Sequence, residues 1–219
     1  MEGACSSSSS SPFKDAEMEA QTPLTAVAEA FEDLGRSWDC RSEELQVEPF
    51  VFACSHVAEL FGCLGFAFKF AQIEYVSKVN GLLEASKLFD NLSNILDNDV
   101  KNDVVRKPGS HSRNLRRVRL GLDLLRTMFE QFLSSEEISP KEAASSAYAQ
   151  VCAPFHTWAI RTAVGAGMCT LPTRDHLLLK LGDTDESVER EMRRYIVATS
   201  AVIDYIDNLY LSRNITLDW

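Results

Sequence analysis

The chain has 219 residues, 45% of them hydrophobic, which is enough to bury one core in a single domain. Its formal net charge of −10 argues against nucleic acid as a partner, because neutralising a polynucleotide requires a broad basic surface. The N-terminus has neither a basic region nor an apolar run, so no secretory signal is expected. The six cysteines contain no Cys-x-x-Cys pair and are expected to be reduced, mostly buried thiols of a cytosolic protein.

Along the chain, residues 1–22 combine a serine run with mixed charges, and we interpret them as a disordered N-terminal segment. The folded domain is expected over residues 23–219 and opens with a proline, which is favoured early in a helix. The most hydrophobic window, residues 50–71, contains polar and charged side chains that would be costly in hydrocarbon. It therefore predicts a buried core helix, followed by a break at Gly81 and an amphipathic helix over residues 82–99.

The next predicted helix, residues 113–133, has three distinct faces. One is apolar throughout, a second is charged and is expected to face water, and a third begins with Arg113 and Arg117 and continues with apolar side chains. Cations followed by apolar groups match a lipid with an anionic headgroup and hydrocarbon tails. The ordinary alternative is that these arginines are solvated or paired with acids. The charged face consists of Arg116, Arg119, Asp123, Arg126 and Glu130.

Three further elements complete the prediction: a long helix from Pro140 to Met168 kinked at Pro154, a short helix capped by Thr173, and a last helix over residues 187–211. No segment alternates polar and apolar residues between turn signals. The protein is therefore expected to be all-α.

Patterns that usually hold a metal or a nucleotide are missing: there is no His-x-x-x-His pair, no P-loop and no Gly-x-Gly-x-x-Gly segment. Enzymatic activity, a metal site and a cofactor are therefore not expected. Two other short pieces stand out, an acid and a base one helical turn apart at Glu74 and Lys78, and the pair His156 and Trp158 just after a proline. Each has an ordinary interpretation, as a surface ion pair, a structural histidine or a core tryptophan.

Together these pieces resemble the glycolipid transfer protein family, which has acid-x-x-x-Lys on one helix, Arg-x-x-x-Arg before Gly-Leu on another, and His-x-Trp on a third. Residues 61–70, residues 109–115 and the ending Leu217-Asp218-Trp219 resemble its plant accelerated-cell-death branch. The resemblance covers nearly all of the chain after the first 22 residues. It implies a two-layer sandwich of about eight α-helices that encloses a hydrophobic lipid pocket, in a protein that moves sphingolipids between membranes and is not an enzyme.

Carried over residue by residue, the resemblance implies a headgroup site made of Glu74, Lys78, Arg113, Arg117 and His156. Sugar-binding members have a tryptophan at the position of Arg117, whereas an arginine can grip phosphate with a bidentate fork. The resemblance thus implies ceramide-1-phosphate as the ligand and a link to programmed cell death and defence. The family's usual acid at position 74 is aspartate, and the longer glutamate leaves open how well the lipid amide is held.

Trp158 and Leu171 are expected to touch the membrane during exchange, because tryptophan favours membrane interfaces. The protein is accordingly expected to be cytosolic and peripheral on membranes, with a transient membrane surface as its other partner. The alternative function, from a different class, is a helical interaction protein that senses the lipid and reports to a protein partner with little transfer.

Overall fold

The computed structural model describes residues 21–38, 44–182 and 184–219. The predicted disordered segment lies outside the described residues except for its last two positions. Apart from one isolated bridge between Gln46 and Asn91, all regular structure in the described ranges is helical, which confirms the all-α prediction. The α-helices are α1 (Pro23–Ser37), α2 (Val47–Cys63), α3 (Lys69–Ser86), α4 (Leu92–Lys101), α5 (His111–Leu133), α6 (Pro140–Val151), α7 (Trp158–Met168), α8 (Arg174–Leu181) and α9 (Asp185–Leu211).

Most of these helices begin where the sequence supplies a capping side chain. The hydroxyl oxygens of Thr22, Ser110 and Ser139 each accept a hydrogen bond from the backbone N–H three residues later, and thereby start α1, α5 and α6. Thr173 caps α8 as predicted, by accepting from the backbone N–H of His176. Such caps depend only on neighbouring residues, and the starts of α1, α6 and α8 were predicted from sequence. The starts of α4 and α7, which also have side-chain caps, were not.

The predicted core helix over residues 50–71 ends earlier than expected, at Cys63. Gly65 adopts a left-handed conformation with φ of 89°, which glycine enters at little cost and which stops the helix. A short 3-10 turn over Phe66–Phe68 then leads into α3. No helix in the described part of the chain is long and apolar enough to cross a membrane.

Gly81, predicted as a helix break, instead lies inside α3. A Cβ atom at this position would come within 2.3 Å of the Asn114 side-chain nitrogen, so the missing side chain lets α3 approach α5 closely. The amphipathic helix predicted over residues 82–99 is therefore two elements, the end of α3 and the whole of α4. Leu88, expected on a buried face, falls between them and is 73% exposed.

The single kinked helix predicted from Pro140 to Met168 is also two helices. Pro154 has no backbone N–H, and its ring would clash with the preceding helical turn, so α6 cannot continue through it. The chain makes a 3-10 turn over Ala153–Phe155 and becomes extended at His156 before α7 begins. This division contributes to nine α-helices in the described residues, compared with about eight predicted.

Five long helices pack in a closed ring, in the order α1, α2, α3, α5, α9 and back to α1. Helix α6 packs on α5, α7 packs on α6 and on the 3-10 turn before α3, and α8 lies against α2 and α9. The apolar face predicted for α5 is confirmed, because it is buried at the centre of this arrangement. Its members are Leu115, Val118, Leu122, Leu125, Phe129 and Phe132.

The charged face of α5 does not face water, and that prediction was wrong. Arg116 is 3% exposed and Asp123 is 7% exposed, because α9 covers this side of α5 and brings Asp207 against it. Arg119 donates to both Asp207 and Asp123, and Arg126 donates to Asp123. A charge is tolerated in such a place only when it is paired. The pairs of Arg116 and Arg119 with Asp207 brace α5 against α9, whereas those with Asp123 lie within α5.

Gly121 of α5 provides a stability test of the contact between α3 and α5. A Cβ atom there would lie 2.5 Å from the Tyr75 ring, whereas at Gly165 of α7 nothing lies within 4 Å. Both positions gain helix propensity from alanine, so Gly165→Ala serves as the matched control. We expect Gly121→Ala to be less stable than this control by about 1–3 kcal/mol, because the added methyl group would overpack the contact between α3 and α5. Urea unfolding followed by circular dichroism measures the difference, and equal stabilities would show that the helices separate freely.

Candidate functional site

A cavity of about 560 Å³ lies between α3, α5, α6 and α7, with the 3-10 turn before α3 closing one side. Its size is typical of small-molecule sites, and most of its wall is apolar. Elongated apolar groups would be shielded from water there. The apolar wall includes Phe61, Phe68, Tyr75, Leu120, Leu124, Ile160, Val164 and Met168.

A second depression, about 860 Å³, lies between α1 and α9 and is lined by charged side chains. Within it, Arg194 and Glu32 bind each other at 2.7 Å. Most of its charges are therefore satisfied by the protein itself, and the apolar cavity is the better candidate for a ligand site.

Four of the five residues predicted for a headgroup site line the apolar cavity. Glu74 and Lys78 come from α3, Arg117 from α5, and His156 from the extended segment before α7. The fold therefore brings together three segments that are far apart in the sequence. It also gives an otherwise apolar cavity a cluster of polar groups.

Arg113, the fifth predicted residue, lies one helical turn before Arg117 and is not part of the cavity wall. Its guanidinium donates to the backbone carbonyl of Arg106 at 2.7 Å. The Arg106 side chain in turn donates to the Thr216 hydroxyl at 2.8 Å, which ties this loop to the C-terminal segment. Arg113 is thus held beside the cavity and close enough to Arg117 to repel its charge.

Glu74 and Lys78 form the ion pair expected for an acid and a base four residues apart. The Lys78 ammonium lies 3.1 Å from one Glu74 carboxylate oxygen, and the side chains are 24% and 66% exposed. An exposed pair of this kind contributes only a few tenths of a kcal/mol to stability. Its position matters more, because it puts a cation and a carboxylate on the cavity wall.

Arg117 is the most unusual group in the cavity. It is only partly exposed, and it makes no hydrogen bond or ion pair with any described residue. Burial lowers the pKa of its guanidinium, and repulsion from Arg113 lowers it further. In the ordinary alternative this arginine pairs with Glu74. The Glu74 charge does oppose the lowering of the Arg117 pKa, but the carboxylate forms its ion pair with Lys78 and none with Arg117. Since arginine stays charged in proteins, an anionic ligand would satisfy this group.

His156 takes its position from the turn that Pro154 imposes. After the 3-10 turn its backbone is extended, and its imidazole Nδ1 lies 2.8 Å from the hydroxyl of Tyr148 on α6. Burial lowers the pKa of His156, and the nearby charge of Arg117 lowers it further. The imidazole is therefore neutral at pH 7 and available for hydrogen bonding.

Sequence reasoning missed Tyr148 and Cys152, which are among the polar members of the cavity wall. They are four residues apart on α6 and therefore share one face of the helix. Burial raises the pKa of the Cys152 thiol to about 12, so this group adds no charge beside Arg117. The sequence signal for them was their shared helix face just before Pro154.

A metal site in the described part of the chain would need cysteine, histidine or acid side chains close together. Within the described ranges, no three His, Cys, Asp or Glu side chains are placed to hold a metal ion. Of the four cysteines described, Cys54 and Cys152 are buried, Cys63 is half-buried and Cys169 is exposed. The prediction of mostly buried thiols is therefore right for two of these four.

Large apolar side chains are exposed around the cavity. Trp158, at the first position of α7, is 74% exposed, while Phe66 and Phe70 are 81% and 77% exposed and Ile160 is 45% exposed. The last three line the cavity, so these groups surround its opening. Leu171, predicted with Trp158 as a membrane contact, is half-buried against the core.

Comparison with known proteins identifies the family. The family model named glycolipid transfer protein matches residues 45–183. The chain belongs to the glycolipid transfer protein family. Among its members, the chain is 60% identical to the ACD11 homolog protein of Arabidopsis thaliana, over 90% of this chain and 89% of that one. It is 45% identical to Accelerated cell death 11 of the same organism, over 93% and 100% of the two chains.

Solved structures of glycolipid transfer protein family members share the fold. A mutant of Arabidopsis ACD11 complexed with C12 ceramide-1-phosphate has a TM-score of 0.87 and 45% identity, and the match covers 92% of this chain and 100% of that chain. Human ceramide-1-phosphate transfer protein, complexed with 2:0 ceramide-1-phosphate, has a TM-score of 0.78 at 22% identity, over 90% and 98% of the chains. The second match establishes only a common fold. The family and the helical sandwich predicted from sequence are thus confirmed.

The environment of His156 predicts its titration. By NMR, we expect its midpoint to lie below about 6.5, the value for an unperturbed histidine. Replacing Arg117 with Gln should raise the midpoint, because one nearby positive charge is lost. Since the pKa is lowered in the folded protein, the contribution of His156 to stability is present at neutral pH and is lost as the pH falls.

Arg193→Gln is the matched control for this titration. It removes the same charge from an exposed position on α9, outside the apolar cavity. It should leave the His156 midpoint unchanged. A midpoint at or above the ordinary histidine value in the unsubstituted protein would contradict a buried imidazole beside Arg117.

Proposed function

We propose that this protein carries ceramide-1-phosphate between membranes, with the phosphate bound at Arg117 and Lys78 and the hydrocarbon chains in the apolar cavity. The observation that carries the proposal is Arg117, a half-buried cation that forms no ion pair with any described residue. A phosphate monoester supplies the missing negative charge and can accept two parallel hydrogen bonds from a guanidinium. The ligand named for the solved structure of Arabidopsis ACD11 supports this choice.

Arg113 completes the proposed phosphate site. Its guanidinium is one helical turn from Arg117, and its only hydrogen bond to a described residue is to the backbone carbonyl of Arg106. A charged phosphate oxygen is a stronger acceptor than a neutral carbonyl, so exchanging one for the other is favourable. We propose that Arg113 makes this exchange when the lipid enters.

Glu74 and His156 are proposed to hold the ceramide amide, which would be costly to bury unpaired. One Glu74 oxygen binds Lys78, and the second remains available to accept from the amide N–H. Each methylene of the lipid chains that enters the cavity adds about 0.8 kcal/mol.

The proposed activity is carriage and not catalysis. The site holds a neutral histidine, which suits hydrogen bonding, and an arginine without an ion pair among the described residues, which suits charge pairing. The proposal needs no cofactor. Relatives named for accelerated cell death support a link between this transport and the regulation of programmed cell death. In this proposal the carrier works from the cytosol and contacts membranes only transiently.

The exposed rim of the cavity is proposed to be the membrane contact. Phe66, Phe70 and Trp158 are each at least 74% exposed, which is costly for large apolar groups in water. Inserted at the membrane interface, they would place the cavity opening against the lipid surface. Leu171, which is half-buried, would contribute less.

The proposed phosphate site can be tested by vesicle-to-vesicle transfer. Fluorescent ceramide-1-phosphate should move much faster than galactosylceramide, because Arg117 offers a charge and no stacking surface for a sugar. Arg117→Ala should slow transfer of the phosphate lipid about ten- to a hundredfold, since one charge-assisted bond contributes about 1.5–3 kcal/mol. Arg117→Lys should retain part of the rate because it keeps the charge but loses the planar fork.

The control for this experiment is Arg193→Ala, which makes the same change in net charge at a site remote from the cavity. Melting temperatures measured on the same samples separate loss of function from loss of folding. Equal transfer of the two lipids would contradict the phosphate specificity. Tight binding of ceramide-1-phosphate without transfer would indicate the alternative function, a lipid sensor.

Trp158 tests the proposed membrane contact. We expect Trp158→Ala to weaken binding to phosphatidylcholine vesicles by about five- to tenfold, because an interfacial tryptophan side chain is lost. Leu179→Ala is the control, since Leu179 is 73% exposed on α8 but lies outside the cavity wall. Neither change should lower the melting temperature much. A large drop for Trp158→Ala with normal vesicle binding would place the ring in the core instead.

A further inference from the structure

The hydrogen bond between Tyr148 and His156 defines which nitrogen of the imidazole faces the ligand. The tyrosine hydroxyl oxygen lies 2.8 Å from Nδ1, and both side chains line the cavity. We infer that Tyr148 is a positioning residue that fixes His156 in the tautomer with the proton on Nε2, so that His156 is a hydrogen-bond donor to the bound lipid. The role toward the lipid rests on the proposed function, whereas the tautomer itself does not.

A neutral imidazole has one donor nitrogen and one acceptor nitrogen, so the partner of one decides the role of the other. Burial and the charge of Arg117 lower the pKa of His156 and keep it neutral. Burial also raises the pKa of the Tyr148 phenol, which therefore keeps its proton and can donate it.

The direction of the bond follows from what else the phenol can reach. Among the described residues, Nδ1 of His156 is the only hydrogen-bond partner of the Tyr148 hydroxyl. If Nδ1 carried a proton, the phenol would have to accept, and its own O–H would have no acceptor among the described residues. Donation from Tyr148 to Nδ1 satisfies both groups and leaves the proton on Nε2.

The turn after α6 holds the two rings in this arrangement. The backbone N–H of Phe155 donates to Cys152 at 3.0 Å, and that of His156 donates to Ala153 at 3.2 Å. The imidazole and phenol ring centres are 5.6 Å apart. The turn, the ring contact and the hydrogen bond together restrict rotation of the imidazole, which is what a positioning role requires.

In this assignment the two polar groups of an amide are recognised by two different residues, His156 and Glu74. A protonated Nε2 can donate to the amide carbonyl but cannot accept from the amide N–H, which is left to the Glu74 carboxylate. Phosphatidic acid has ester carbonyls and a phosphate but no N–H group. Tyr148 should therefore affect binding of both lipids, whereas Glu74 should determine the preference for the amide lipid over the ester.

The tautomer is tested directly by nitrogen-15 NMR of the full-length, lipid-free protein above pH 7.5. The His156 signals, assigned by their loss in His156→Gln, should show a protonated Nε2 and an unprotonated Nδ1. In Tyr148→Phe we expect a mixture of tautomers. Tyr205→Phe is the control, because it removes a half-buried hydroxyl that binds the backbone of Leu45, away from the cavity. A dominant Nδ1 proton, or no change in Tyr148→Phe, would overturn the inference.

Transfer measurements complete the test. Tyr148→Phe should slow transfer of ceramide-1-phosphate and of phosphatidic acid alike, by about three- to tenfold, as expected for one neutral hydrogen bond. Glu74→Gln should instead lower the ratio between the two lipids. A Tyr148→Phe effect confined to one lipid would contradict the assignment. If the tautomer result is as expected but the unsubstituted protein transfers neither lipid, the proposed function fails while the tautomer assignment stands.

Discussion

The site is built around a guanidinium that is half-buried and forms no ion pair with any described residue. Removing a charge from water is costly, and the cost is recovered only when an opposite charge takes the place of the solvent. On another face of α5, Arg119 is balanced within the protein by Asp123 and Asp207. Arg117, on the cavity face of the same helix, is not. The contrast separates arginines that brace the fold from one that is free for a ligand.

The break at Pro154 connects two tasks that a lipid carrier has to combine. The same turn that ends α6 places His156 in the cavity, and two residues later it exposes Trp158 beside the opening. In the proposed function, recognition of the polar part of the lipid and contact with the membrane surface therefore both depend on this one short segment. A shift of this segment at a membrane would therefore move His156 directly, without any long-range pathway.

The sequence predicted those features that depend on neighbouring residues. The apolar stripe of α5, the helix caps and the all-α fold follow from periodicity and from side chains within one turn. Two glycines show the limit: Gly65 ends a helix because its φ is positive, whereas Gly81 stays helical and admits the side chain of another helix. The burial of Arg116 depends likewise on α9, far along the chain, and no local pattern indicates it.

For the site, the resemblance to a family selected residues that spacing alone could not have joined. It did not indicate that Arg113 would be held by a backbone carbonyl or that Tyr148 would bind His156, since both facts depend on how loops and helices meet. The charged pair Glu74 and Lys78 was predicted from a single helical turn. That this pair lies on the cavity wall could be learned only from the fold.

The cavity also links lipid supply to the lifetime of the protein in the cell. A ligand that fills it binds the folded chain and not the unfolded one, so each tenfold excess over the dissociation constant adds about 1.4 kcal/mol to the free energy of unfolding. Degradation acts on the small unfolded fraction. The abundance of such a carrier would therefore rise with its cargo and decline when the cargo is scarce, without a dedicated regulator.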